Sequence, residues 1–224
     1  IKSPLSKKTY FIHIKNIINK NLIINGNIYL QITRGVTSRD FKYPKDIKSS
    51  IIIIGKIIDM KRFDKNIQSG IKVITTKDLR WGRCDIKSLN LLAPVLAKQG
   101  AINTGATEAW LIDKNGFITE GSSSTAWILD KNNILQTASL SQNILSGVTR
   151  NTLIKGLKKN NVKFKEKSFN IIDVRNAKEA YITSATTLVT PVVQIDKIKL
   201  GDGKPGIFAP IFLDIYKKAA SYKD

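Results

Sequence analysis

Apolar residues at Phe11, Ile14, Ile17 and Ile18 follow Ser6 at the three- and four-residue spacing of one helix face, which predicts a capped helix over residues 6–21. His13 flanks that stripe. Asn25-Gly26 supplies residues that tolerate positive φ and predicts a turn joining residues 22–24 to an extended segment over 27–34. The run from Ile51 to Ile58, interrupted only by Gly55 and Lys56, reads as a strand covered on both faces. The polar stretch 59–70 reads as a connector and places a domain boundary between residues 1–62 and 63–224. Beyond it the pattern predicts a strand over 71–75, an irregular segment to Asp85 and a helix ending near Gly100. Short strands follow at 107–112, 117–119 and 126–130, with Lys114-Asn115-Gly116 as a turn. Gly147 opens a helix with Leu153, Ile154 and Leu157 on one face, and residues 181–183 and 191–195 read as strands. The last helix carries Ile207, Phe208, Ile211, Phe212, Ile215 and Tyr216 on one side. Strands cluster instead of alternating regularly with helices, so the fold class is α+β.

Composition narrows the chemistry. At 224 residues and 42% hydrophobic content the chain can bury a substantial core. No stretch approaches the ~20 consecutive apolar residues of a membrane span and no signal peptide is visible, so a cytoplasmic location is expected. The lone cysteine, Cys84, excludes an internal disulfide framework, and with His13 as the only histidine no metal site is expected. A net charge of +20 invites a nucleic-acid partner. The distribution argues otherwise: only seven of the 37 basic residues are arginine, and the lysines are scattered among turns without an aromatic-basic platform. The chain begins at Ile1 in what reads as the approach to a helix, so a preceding segment is expected.

Ser-His and Cys-His catalysis fails on the position of His13, far in sequence from any glycine-flanked serine and from Cys84. Arg80 and Arg83 beside Cys84 could lower a thiol pKa, but a small buried hydrophobe is the better reading of that residue. Lysine, carboxylate and phosphate-binding backbone remain, and these suffice for pyridoxal 5'-phosphate chemistry.

Three segments carry a resemblance. RWGRCDIKSLNLLAPVLAKQ at 80–99, TEGSSS at 119–124 and LSGVTR at 145–150 resemble, in that order, the cofactor-lysine segment, glutamate motif and phosphate-binding helix start of D-amino acid transaminases. These are members of the fold-type IV pyridoxal phosphate, or branched-chain aminotransferase-like, family. The resemblance implies a two-domain α+β fold in which residues 1–62 are the C-terminal portion of a small domain whose beginning is missing, and 63–224 form the large cofactor-binding domain. It implies Lys87 as Schiff-base lysine and proton shuttle; an apolar setting of Leu89, Leu91 and Leu92 would favour its neutral amine. Glu120 is implied as partner of the pyridine nitrogen. Ser122, Ser123 and Ser124 could add hydrogen bonds near the ring, and Leu145 would pack on one ring face.

Phosphate would be held by the N–H groups of Val148 and Thr149 and the Thr149 hydroxyl at the helix opened by Gly147, with Ser184-Ala185-Thr186 as a second loop. Ala185 stands where the family commonly has a hydroxyl, so only backbone contacts carry over there. Arg39 matches the arginine that binds the substrate carboxylate across a homodimer interface, but Phe41 replaces the family's histidine; a tyrosine and a phosphate-binding arginine would lie in the preceding segment. The implied reaction is amino transfer between a D-amino acid such as D-alanine and a 2-oxo acid such as 2-oxoglutarate. Branched-chain L-amino acid transaminase, (R)-amine transaminase and aminodeoxychorismate lyase are the nearest alternatives. A basic anion-binding protein on the same scaffold is the alternative from another class.

Overall fold

A computed structural model describes residues 1–221. The chain folds as two compact units, Ile1–Arg62 and Phe63–Asp224. The first contains α1 (Lys7–Lys20), β1 (Gly26–Thr33) and β2 (Ser50–Ile57). Ser6 caps α1 by accepting a hydrogen bond from the Thr9 N–H at 3.1 Å. Leu22 at φ +51° follows the end of α1, and the chain bends at residues 24–25 to enter β1, which begins at Gly26 and pairs antiparallel with β2. Nor is β2 covered on both faces. Its Gly55 lies against Ile17, Ile23 and Ile28, while Ile52 and Ile54 on the opposite pleat are exposed, as expected of a two-stranded sheet with one helix on it.

The supposed connector 59–70 is largely a helix, α2 (Met60–Ser69), which spans the division between the units. Asp59 starts it by accepting from the N–H groups of Lys61 and Arg62, and Ile67 packs into the core of the second unit. Its polarity concealed the helical spacing of Met60, Phe63 and Ile67.

The second unit is built on a ten-stranded mixed sheet. Its elements are β3 (Ile71–Lys77), α3 (Leu92–Asn103), β4 (Glu108–Ile112), β5 (Phe117–Gly121), β6 (Thr125–Leu129), β7 (Leu135–Thr137), α4 (Val148–Lys159), β8 (Phe164–Glu166), β9 (Phe169–Asn170), α5 (Ile171–Arg175), β10 (Glu179–Ser184), β11 (Leu188–Ile195), β12 (Ile198–Lys199) and α6 (Phe208–Ala220). The strand order is β8-β7-β6-β10-β11-β3-β4-β5-β9, with β12 on β11. Parallel pairing at β11–β3 and β3–β4 sits within otherwise mainly antiparallel neighbours.

Alternation explains why this sheet is apolar on both faces. On β6, Ala126 and Ile128 join one buried cluster with Trp110 and Phe169, while Trp127 and Leu129 join another with Tyr181, Leu153 and Phe212. The second cluster is roofed by α4 and α6. Each fully buried large side chain contributes roughly 1.5–3 kcal/mol relative to exposure, so these clusters fix the strand ends from which the site loops project. On α6 the buried residues are Ala209, Phe212, Leu213 and Ile215, and Ile207 and Ile211 face outward; the apolar face is rotated from the sequence expectation because Leu213 packs inward.

Candidate active site

At its C-terminal end β3 releases a loop, residues 78–91, that is tied to β5 and to the segment before α4. Asp78 accepts from the Arg80 N–H at 3.1 Å, from Arg80 Nε and Nη2 at 2.9 and 2.7 Å, and from Thr119 Oγ1 at 2.8 Å. The same guanidinium donates to Glu120 through Nη1 and to the Asn143 carbonyl at 3.0 Å. A further backbone bond, from Asp85 N–H to the Gln142 carbonyl at 3.2 Å, ties the loop to the segment leading into α4.

Glu120, on β5, is buried, and its second oxygen accepts the Leu145 N–H at 3.3 Å. Burial pushes its carboxyl above the ordinary range against the opposing pull of Arg80 and the Leu145 N–H. Burial works the same way on Asp78, but hydrogen bonds and charge from Arg80 outweigh it and hold that carboxyl below its usual value.

After Glu120 the chain turns through Gly121-Ser122-Ser123-Ser124 into β6. A Cβ at Gly121 would stand 2.2 Å from Ser124 Oγ, so the turn needs glycine there. All three serine hydroxyls donate to Glu108, the first residue of β4, with Ser123 and Ser124 at 3.0 Å. Glu108 also accepts its neighbour Ala109 N–H at 2.8 Å and lies 3.2 Å from Lys98 Nζ. The serines therefore face a buried carboxylate, and the Ser123 hydroxyl proton is directed to it. Sequence reading singled out neither Glu108 nor the Asp78–Arg80 pair. The run of three hydroxyls after Glu120 was the available signal for a buried acceptor nearby.

Gly147 is the N-cap of α4, so the Val148 and Thr149 N–H groups have no acceptor within the helix; Thr149 is buried and Val148 exposed. Thr125 Oγ1 lies 3.4 Å from where a Gly147 Cβ would be, and Thr125 pairs with Thr183 on β10. The next residues, Ser184-Ala185-Thr186, turn into β11 beside it; Ser184 Oγ bonds Thr187, and Ala185 and Thr186 are exposed. Leu145 thus contacts Glu120, while Gly147 at the start of α4 lies by Thr125, whose register partner Thr183 precedes the Ser184–Thr186 turn. The donor set suits a phosphorylated cofactor: free helix-start N–H groups and turn hydroxyls for a phosphate, and a buried carboxylate for a ring nitrogen.

Lys87 is exposed on the loop that carries Arg80 and Asp85. The apolar setting expected for it is not formed within this chain: Leu89, Leu91 and Leu92 are all more than half exposed. Cys84 is buried with Sγ 3.1 Å from the Trp81 carbonyl, and burial pushes its thiol up, against the pull of Arg80. A cavity of about 470 Å³ lies against Arg80, lined by Leu79, Trp81, Leu92 and Leu96, but Lys87, Glu120 and Thr149 are not among its walls. In the first unit Arg39 and Phe41 are exposed, the guanidinium carbon 5.8 Å from the ring centroid. His13 is exposed as well. Among the described residues no group of three or more His, Cys, Asp or Glu could hold a metal ion, and no helix is long and apolar enough to cross a membrane.

Residues 1–195 match the family model for amino-transferase class IV. D-alanine aminotransferase of Listeria innocua is 38% identical over 204 residues, covering 91% of this chain and 70% of that protein. D-alanine aminotransferase of Staphylococcus aureus is 38% identical over 193 residues, covering 86% and 67%. Among solved structures, the branched-chain amino acid aminotransferase of Escherichia coli superposes with a TM-score of 0.82 at 21% identity, over 97% of this chain and 72% of that one. A putative 4-amino-4-deoxychorismate lyase of Legionella pneumophila gives 0.84 at 22% identity, over 98% and 79%.

Proposed function

The chain belongs to the class IV aminotransferases, enzymes that use pyridoxal phosphate, and from that premise we propose that it exchanges the amino group of a D-amino acid such as D-alanine with a 2-oxo acid such as 2-oxoglutarate. Two curated relatives at 38% identity named D-alanine aminotransferase support the D-amino acid class over the branched-chain L-amino acid and (R)-amine classes. The structural likenesses, near 20% identity, bear on the fold alone. The observation that supports the reading is that the Lys87 loop and Glu120 are both tied to the segment leading into α4, by the Asp85–Gln142 and Leu145–Glu120 bonds.

When bound, the cofactor supplies a carbonyl carbon for imine exchange and an electron-accepting ring. In this reading Lys87 Nζ would hold the cofactor covalently and would be the base that moves a proton to and from the substrate Cα. Glu120 would be the carboxylate partner of the ring nitrogen, and Leu145 would pack against the ring. The N–H groups of Val148 and Thr149, the Thr149 hydroxyl, the Gly147 backbone and the turn Ser184-Ala185-Thr186 would hold the phosphate; Ser123 would contribute through its backbone, its hydroxyl being directed to Glu108. Arg39 binds the substrate carboxylate from a second copy of the chain, so the working unit is a homodimer, and Phe41 gives that trap an apolar side. A cytoplasmic location accords with the single cysteine.

The test is spectral and stereochemical. The protein with bound cofactor should show a visible absorption band that borohydride bleaches, and should turn over D-alanine with 2-oxoglutarate faster than L-valine. Lys87→Ala should lose both the band and turnover while keeping its far-UV circular dichroism. Normal turnover by Lys87→Ala removes the assignment of the lysine, and a preference for L-valine replaces the D-amino acid class with the branched-chain one. A colourless protein that binds nucleic acid in a salt-sensitive way would instead favour the basic binding protein.

A further inference from the structure

A guanidinium against Glu120 would ordinarily cancel the negative charge that the proposed function requires of that carboxylate. Here the guanidinium is already committed. Arg80 Nε and Nη2 each donate to a different oxygen of Asp78, and the Arg80 backbone N–H adds a third bond. Asp78 is itself fixed by Thr119 Oγ1, on the strand that carries Glu120. Both side chains of the pair are about nine-tenths buried, where charges are weakly screened. Two carboxylates and one guanidinium leave the cluster with a single net negative charge, and Glu120 is the member adjoining Leu145 and α4.

We propose that Asp78 is a charge-compensating positioning residue: it neutralises Arg80, so that Arg80 can hold Glu120 in place without consuming the negative charge Glu120 presents to the ring nitrogen of the bound cofactor. The proposal rests on Glu120 being the ring partner. It also explains why a buried Asp–Arg pair stands at this position: a neutral donor would orient Glu120 less firmly, and an uncompensated arginine would cancel it.

The chain has four glutamates, Glu108, Glu120, Glu166 and Glu179, so selective 13C labelling of glutamate side-chain carboxyls gives four signals, and Glu120→Gln assigns one. In cofactor-free protein the titratable groups facing Glu120 are Arg80, Asp78 and Cys84; burial keeps the Cys84 thiol neutral through the acid range. Asp78→Asn should lower the Glu120 midpoint by about one pH unit or more, as expected when a unit charge a few ångströms away is removed. Arg80→Gln should raise it. Opposite signs are the signature of compensation. A merely structural role for Asp78 would move neither midpoint, or both the same way, and either result overturns the proposal. If Asp78→Asn fails to fold, Arg80→Gln decides alone: no rise overturns it.

With 15N-labelled pyridoxal phosphate bound, the ring nitrogen of Asp78→Asn should be less protonated than that of the parent, and an unchanged 15N shift refutes the link to the cofactor. Failure of the parent protein to bind cofactor would count against the functional reading instead, a distinct result because the glutamate titration needs no cofactor.

Discussion

Replacing Glu108 with glutamine should destabilise the second unit far more than its near-isosteric change suggests. Glu108 receives five donors on two oxygens: Ala109 N–H and Ser122 on Oε1, Ser123, Ser124 and Lys98 on Oε2. The serine hydroxyls can reverse and accept, whereas the Ala109 N–H and Lys98 Nζ can only donate, and they sit on different oxygens. An amide offers one oxygen, so one of those two donors must meet an NH₂ group. Lys98 is about one-third exposed and can withdraw to water, which makes its side the cheaper one to lose. That pair, being partly screened, contributes at most about 1 kcal/mol. The remaining bonds fall from charge-assisted to neutral strength, for a total of about 2–3 kcal/mol. For a domain of this size the thermal midpoint should drop by roughly 4–12 °C. Circular dichroism melts of Glu108→Gln and Lys98→Met provide the assay, with cofactor affinity measured alongside because the turn held by Glu108 begins next to Glu120. A melt of Glu108→Gln within about 1 °C of the parent, or a Lys98→Met loss as large, refutes the reasoning: the first would mean the donors have other acceptors, the second that the surface ion pair carries the stability.

Arg39→Ala should raise KM for amino and oxo acids roughly tenfold or more, the scale of one charge-assisted carboxylate pair, and leave a simple (R)-amine substrate less affected. Equal losses on both substrates would exclude Arg39 as the carboxylate anchor. Phe41→His should shift preference toward D-amino acids over such amines, measured as the ratio of kcat/KM values. Burial and a hydrogen bond to Glu179 push the Tyr181 phenol far above its ordinary value of 10.0. Its neutral form therefore stabilises the fold fully below about pH 10, and this contribution fades as pH rises further. Urea titrations at pH 9 and 11 should show Tyr181→Phe losing less stability over that interval than the parent, and equal losses would sink the assignment.

Much of the fold can be read from local pattern where elements are long and capped. Ser6 and the Phe11–Ile14–Ile17–Ile18 stripe specify α1, and the apolar runs of β6 and β11 follow from burial on both faces. Strands of two or three residues, such as β7, β8 and β9, are too short to show a period. Helix α2 is hidden by its polar side chains, whereas α1, expected over 6–21, runs from Lys7 to Lys20 between the caps Ser6 and Asn21. At the candidate site the motif residues are visible in sequence through the three motif segments, with Glu120 near the end of β5, Val148 and Thr149 at the start of α4 and Lys87 on the loop between β3 and α3. What holds them is not: Glu108 meets serines 14–16 positions away, and Arg80 meets Glu120 forty positions away. Such partners are set by strand register, which emerges only once β4 and β5 lie side by side.

The sheet order has a consequence for how the protein is made. Strand β3, which delivers the loop bearing Asp78, Arg80 and Lys87, lies between β4 and β11, and Asp196 clasps it by accepting from Thr75 N–H and Oγ1 at 2.7 and 2.8 Å across 121 positions of chain. A ribosome adding 5–20 residues per second needs roughly 6–24 s to cover that separation. During that interval β3 and β4 can pair while one flank of β3 remains an open edge, its N–H and carbonyl groups available to any other strand. Strand β3 therefore gains its last sheet partner only when β11 emerges, although its loop can already be tied to Glu120 and Asn143 by then, and an open strand edge of this kind is the surface that chaperones shield.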